Sequence, residues 1–162
     1  MRILGIDPGL NITGYGCVDL REGEVEPTLV EAGVLRLRSG APMEDRLEQL
    51  FTELSALIVE LTPHRMVVEK LFSHYKHVRT SILMGHARGV VLLAGRVHGV
   101  ELDELAATEV KKAVTGRGHA SKHQVQCAVA TQLSLTEIPE PSDVADAIAV
   151  ALCASRRILC GV

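Results

Sequence analysis

Apolar positions along the chain follow two rhythms, and the switches between them mark the elements. Arg2-Ile3-Leu4-Gly5-Ile6-Asp7 is a short apolar run that reads as a buried strand. It ends at Asp7-Pro8-Gly9, where the fixed φ of proline and the permissive backbone of glycine turn the chain. Thr13 to Leu20 reads as a second strand, and Val25 to Arg38, with its β-branched and alternating positions, contains a third. The opening third therefore predicts an antiparallel meander. From Pro42 to Leu61 the period lengthens. Leu47, Leu50, Phe51, Leu54, Leu57, Ile58 and Leu61 recur at helical spacing, with Glu44, Asp45 and Glu48 early, where the helix dipole favours acids.

Arg65-Met66-Val67-Val68-Glu69 is a short apolar run between Pro63 and a polar, aromatic loop, and reads as a central strand that ends on an acid. Between about Val78 and His98 the apolar residues Ile82, Leu83, Met84, Val90, Val91, Leu92, Leu93 and Val97 wrap most of a helix. Such a helix contacts two surfaces: a sheet and a second subunit, with Gly85, Gly89 and Gly95 allowing close approach, or else two internal surfaces. Val100 to Leu105 is a further strand. Thr108 is placed to cap a short helix that runs to Val114 and stops at Gly116 and Gly118. Ser121-Lys122-His123-Gln124 matches a capping box and opens a helix toward Leu133. Pro139, Pro141 and Ser142 lead into a last helix closed by Arg156, Arg157 and Gly161. The order predicts an α/β fold with a mixed five-stranded sheet, a 1-2-3 antiparallel meander plus parallel strands, flanked by helices. The 162 residues fit one domain, 1–162.

Composition narrows the class. With 47% hydrophobic and 23% charged residues, and no apolar run long enough to cross a bilayer, the chain reads as globular and not as a membrane protein. Its first residues lack the long apolar core of a signal peptide, so a cytoplasmic location is expected. Cys17, Cys127, Cys153 and Cys160 form no Cys-x-x-Cys pair and lie in apolar stretches, which predicts small buried hydrophobes and neither a zinc site nor a disulfide framework. The net charge of −3 by itself argues against a polyanion binder, but its distribution is uneven. Acids predominate from Asp19 to Glu60. From Arg65 to Arg96 the only acid is Glu69, among Arg65, Lys70, Lys76, Arg79, Arg88 and Arg96. Lys111, Lys112, Arg117 and Lys122 form a second acid-free basic stretch. Both segments, interleaved with His74, His77, His119 and His123, are either phosphate-binding surface or ordinary solvated helix faces.

Four acids stand where packing has no use for them. Asp7 ends the first strand, Glu69 ends the central one, and Asp143 and Asp146 lie three apart on one face at the start of the last helix. Singly, each has a plain role as a turn acid, a strand-end charge or a helix-dipole partner. If the sheet brings them together, repulsion raises their pKa values unless a divalent cation binds, and an all-oxygen donor set suits Mg²⁺ or Mn²⁺ rather than zinc. The chain has two Phe, two Tyr and no Trp, yet Phe72 and Tyr75 both follow Glu69 within six residues. Lys70-Leu71-Phe72-Ser73-His74-Tyr75-Lys76-His77 mixes rings and cations as a segment that stacks on unpaired bases and holds phosphates would. Phe72 serves equally well as a hydrophobic staple between loop and helix.

These motifs resemble, in order and spacing, those of the RuvC family of crossover-junction endodeoxyribonucleases: Gly5-Ile6-Asp7-Pro8-Gly9 with Thr13-Gly14-Tyr15-Gly16, then Val68-Glu69 and Phe72, then Asp143-Val144-Ala145-Asp146-Ala147. His86-Ala87-Arg88-Gly89-Val90, Val110-Lys111-Lys112-Ala113-Val114 and Gly116-Arg117-Gly118 through Gln126 extend the likeness over essentially the whole chain. The resemblance implies an RNase H-like fold, and a homodimer that nicks four-way junction DNA in recombination and repair. It also implies Asp7, Glu69, Asp143 and Asp146 as catalytic metal-binding acids holding two Mg²⁺ or Mn²⁺ ions per subunit. By the same resemblance Phe72 lies near the crossover point, Lys111 and Lys122 contact DNA by the acids, and a RuvA and RuvB branch-migration motor delivers junctions. Tyr75, Lys76, Arg79 and Arg117 complete the expected DNA contacts, in segments where the likeness is looser.

Two other classes share parts of the pattern. Actin-like and sugar-kinase ATPases also carry Gly-x-Asp-x-Gly followed by Thr-Gly, but need two lobes and a second phosphate loop that this chain lacks. An RNase H-like nuclease of structured RNA would use the same acids. The Phe72 loop, Lys111 and Lys122 favour junction DNA over it.

Overall fold

The computed structural model describes residues 1–71 and 78–161. The meander is β1 (Arg2–Asp7), β2 (Ile12–Asp19) and β3 (Thr28–Arg36); α1 (Met43–Leu61), β4 (Arg65–Glu69), α2 (Val78–Val97) and β5 (Glu101–Leu105) follow, then α3 (Ala107–Thr115), α4 (Lys122–Gln132) and α5 (Ser142–Leu159). The strands form one sheet in the order β3-β2-β1-β4-β5. β1 pairs antiparallel with β2 and parallel with β4, while β4 and β5 are parallel. The sheet is mixed, as the sequence predicts, with β1 at the seam between its two halves.

Strand alternation sends successive side chains to opposite faces. Leu4, Ile6, Cys17, Met66 and Val68 pack under α1 and α2, against Leu50, Leu54, Ile58, Ala87, Val91 and Ala94. Ile3, Val18 and Val67 face α3, α4 and α5, where they meet Val110, Val125, Val129, Ile148 and Leu152. Asp7 and Glu69 fall on this second face by the same parity. Asp7 shares a side of β1 with Ile3 and Gly5, and Glu69 shares a side of β4 with Val67.

α5 lies deepest. Almost every residue from Val144 to Ser155 is buried, and the helix crosses β1 and β2 over three glycines. A Cβ at Gly5 would stand 2.3 Å from the Ala147 carbonyl oxygen, one at Gly14 2.0 Å from that of Asp143, and one at Gly16 2.7 Å from Ile148 Cα. Gly14 pairs with Asp7 and Gly16 with Gly5 across β1 and β2, so the three form a shallow trough that only a bare backbone provides.

Several expectations change. Ala106, not Thr108, is the N-cap of α3, and Thr108 lies inside the first turn, where its hydroxyl has no capping role. The capping box at Ser121 is present in full, with Gln124 N donating to Ser121 Oγ and Ser121 N donating to Gln124 Oε1. Of the α2 glycines, Gly95 serves internal packing, since its Cβ would meet Met66 Cε at 2.5 Å, whereas Gly85 and Gly89 face open space. Cys17 and Cys153 are buried as expected, but Cys127 is half-buried and Cys160 exposed; all four are free. Part of the first basic segment is structural rather than phosphate-binding. Arg65 bridges Glu101 at 2.7 Å and Asp103 at 2.6 Å on β5, and Arg88 pairs with Glu104. No helix among the described residues is long and apolar enough to cross a membrane.

Candidate active site

β1 and β4 are parallel neighbours, so both chains leave the sheet at the same edge, one from Asp7 and the other from Glu69. The α5 N-terminus arrives at that edge because Gly14, opposite Asp7, lets the backbone of Asp143 come into contact. Asp143 and Asp146, three residues apart on α5, are thereby presented together. Asp7, Glu69, Asp143 and Asp146 line one cleft of about 440 Å³, with Lys111 from α3, Lys122 from α4 and residues 8–12 of the turn after Asp7. The acids of three separate elements do converge.

Their electrostatics follow from crowding. Burial, then Glu69, Asp146 and Asp143 in turn, push the Asp7 carboxyl up to about 8, against a smaller pull from Lys122. Glu69 is raised to about 7 by burial and by Asp146, with Lys111 and Lys122 opposing. Asp146 is also raised, chiefly by burial, and again the two lysines oppose the shift. Among the described residues none of the four carboxylates takes part in a hydrogen bond or ion pair, so repulsion is relieved only at the distance of the two lysines. Nor, among the described residues, do three His, Cys, Asp or Glu side chains close on a common point as a finished metal cage; the acids line the cleft openly. The donor set nevertheless fits a hard divalent cation: its four carboxylates offer only oxygen, they are crowded enough to hold protons near neutral pH, and among the described residues no Cys or His lines the cleft, where Met84 is the one sulfur.

Lys122 is tied down by its Nζ, which donates to Ser142 Oγ at 3.2 Å and joins the starts of α4 and α5. Arg117 is elsewhere. It is exposed in the turn after α3 and borders a separate groove with Thr115, His123 and Cys127. Arg79 is exposed in the first turn of α2. Phe72, Tyr75 and Lys76 lie outside the described residues.

Two supports of the cleft went unseen in the sequence. Thr13, fully buried, donates from Oγ1 to the Gly9 carbonyl at 2.7 Å and accepts from Gly9 N at 3.2 Å, which pins the turn behind Asp7. Arg46 of α1 donates to the Leu10 carbonyl and to Asn11 Oδ1, both at 2.5 Å. Thr13 does fall within a recognised motif. Arg46 reads from the sequence as one more charge on the polar face of an amphipathic helix.

A mixed sheet of order 3-2-1-4-5 with carboxylates gathered at the ends of its first and fourth strands has the RNase H-like nuclease fold, shared with the yeast mitochondrial Holliday junction resolvase Ydc2 (TM-score 0.69, 14% identity, 95% of this chain and 78% of that one). The model of the family described as crossover junction endodeoxyribonuclease RuvC matches residues 3–154, and this chain belongs to that family. Among relatives, the Rhodopirellula baltica crossover junction endodeoxyribonuclease RuvC is 49% identical over 151 residues, 93% of this chain and 84% of that protein. The Thermus thermophilus RuvC structure superposes with a TM-score of 0.88 at 30% identity, over 99% of this chain and 97% of that one. T. thermophilus RuvC in complex with a Holliday junction substrate gives 0.90 at the same identity, over 99% and 96%.

Proposed function

We propose that the chain is a crossover junction endodeoxyribonuclease that resolves Holliday junctions in DNA recombination and repair, with Asp7, Glu69, Asp143 and Asp146 as its catalytic acids. The observation that carries the reading is their convergence in one cleft beside Lys111 and Lys122, in a chain of the RuvC family. The acids would hold Mg²⁺ or Mn²⁺, two ions per subunit, and the ions would supply Lewis-acid activation of a water and charge stabilisation for the departing 3′ oxygen. Asp7 and Glu69, whose carboxyls burial and neighbouring acids push up toward neutrality, would release their protons to solvent on becoming ligands. Lys122, fixed by Ser142, and Lys111 attract the phosphate and offset the remaining negative charge. The turn pinned by Thr13 keeps Asp7 aimed at the phosphate. By the same reading Phe72 acts near the crossover, and Tyr75, Lys76, Arg79 and Arg117 are further DNA contacts.

The working form is a homodimer. Val78, Ile82, Gly85, Gly89, Leu93 and Val97 recur every three or four residues along one side of α2, and Ile82, Leu93 and Val97 are 56%, 54% and 60% exposed. A two-fold axis on this stripe gives each subunit one of two like strands, so that the symmetry of the enzyme meets that of the junction. Junctions come to the dimer from the RuvA and RuvB motor.

The test is incubation of a synthetic four-way junction, and of linear duplex of matched sequence, with Mg²⁺, Mn²⁺ or EDTA. Paired metal-dependent nicks in the junction alone are expected. Asp7→Asn should abolish them, by at least 100-fold, while junction binding in EDTA is kept or tightened. Equal cleavage of duplex, or loss of binding in the variant, would overturn the assignment.

A further inference from the structure

Asn11 is exposed but held at two points. Its backbone carbonyl accepts from Leu37 N at 3.0 Å, and its side-chain Oδ1 accepts from Arg46 at 2.5 Å. A guanidinium only donates, so the amide must turn its oxygen to Arg46 and its NH₂ the other way. Asn11 is exposed, and it lines the cleft with the four acids, Lys111 and Lys122. Arg46 is equally constrained: the same nitrogen donates to the Leu10 carbonyl, and its Nε is buried without a partner. An arginine held in this way behaves as part of the scaffold and not as a solvated charge.

We propose that Asn11 contacts the DNA, its amide NH₂ donating to a phosphate oxygen of the strand that enters the cleft, and that Arg46 is the positioning residue that aims it. The proposal rests on the nuclease reading above. Phosphate is favoured over a base because an asparagine reads adenine with oxygen and nitrogen together, and here the oxygen is already engaged. A lone donor at this place positions the backbone without reading sequence.

Asn11→Asp is the informative variant. A carboxylate keeps the Arg46 partnership, so the melting temperature should be unchanged or raised, but it has no donor to offer DNA. Junction affinity in EDTA should fall at least tenfold, and Asn11→Ala should cost about tenfold to a hundredfold, the range of one hydrogen bond to a charged acceptor. Wild-type affinity in Asn11→Asp, or tighter binding in Asn11→Ala, would overturn the contact. For Arg46, Arg46→Met should raise the junction KM at least fivefold with kcat within about twofold, and Arg46→Lys should restore at least half of that loss. Equal KM values in the two, or a loss confined to kcat, would remove the positioning role. Wild-type protein in the same assays separates the two claims: if it neither binds nor nicks the junction, the nuclease reading fails, whereas a competent wild type beside unaltered variants defeats only the inference about Asn11 and Arg46.

Discussion

At Asp7 one carboxyl joins stability to the proposed metal binding. Its pKa in the metal-free fold, about 8, and that of Glu69, about 7, lie above the value near 4 of an unfolded carboxylate. A group raised on folding favours the fold below its unfolded pKa, and that contribution is lost as pH rises through the folded value. Metal-free protein should therefore melt progressively lower between pH 5 and 9, and Mn²⁺ should raise the melting temperature more at pH 8.5 than at pH 6. Each kcal/mol recovered appears as about 2–4 °C for a chain of this size. Thermal melts in EDTA and in Mn²⁺ check this, and Asp7→Asn should flatten the EDTA profile; a profile that rises with pH would remove the repulsion argument. Asp7 and Glu69 were legible because a carboxylate ending an apolar strand is out of place in a core, and Asp143 and Asp146 because they lie three apart on one face at a helix start. Arg46 and Asn11 were not, because their partnership spans 35 residues and each alone suits an exposed surface.

At the level of elements, the site depends on how closely α5 approaches the sheet. Gly14→Ala would drive a Cβ to 2.0 Å from the Asp143 carbonyl oxygen, which backbone cannot yield without moving the helix. The expected cost is about 1–3 kcal/mol, read in chemical denaturation. Calorimetric Mn²⁺ affinity should fall with it, because Asp143 and Asp146 ride on the displaced helix. Unchanged metal affinity would show that the acids do not move with α5. Periodicity, with capping and turn signals for the last three helices, found the ten elements of the described residues, since each carries its signal locally. It could not find the trough, because Gly5, Gly14 and Gly16 become a surface only when β1 and β2 are paired in register. Thr108 misled for a local reason: a good capping residue close to a helix start still loses to the strand connection that sets where the helix begins, here at Ala107.

Across the whole molecule, charge is sorted by place. The basic residues Arg65 and Arg88 are spent on the acids of β5, and Lys111 and Lys122 are left to the cleft. The sequence showed two basic segments but could not say which cations were already engaged, because the partners lie on another strand. The apolar stripe of α2 carries the prediction for assembly. Leu93→Glu should yield a monomer by sedimentation, with the fold intact by circular dichroism, and should turn paired junction nicks into single ones. A dimer that survives the change would place the interface elsewhere. The turn from Arg21 to Pro27, between β2 and β3, lies at the opposite end of β1 from Asp7, about 20 Å away at the rise of a strand. Gly23 in it has a φ of 82° and open space around it. That makes the turn a handle: a fluorophore or surface tether attached there would report junction capture and release in single molecules while leaving both the cleft and the α2 stripe untouched.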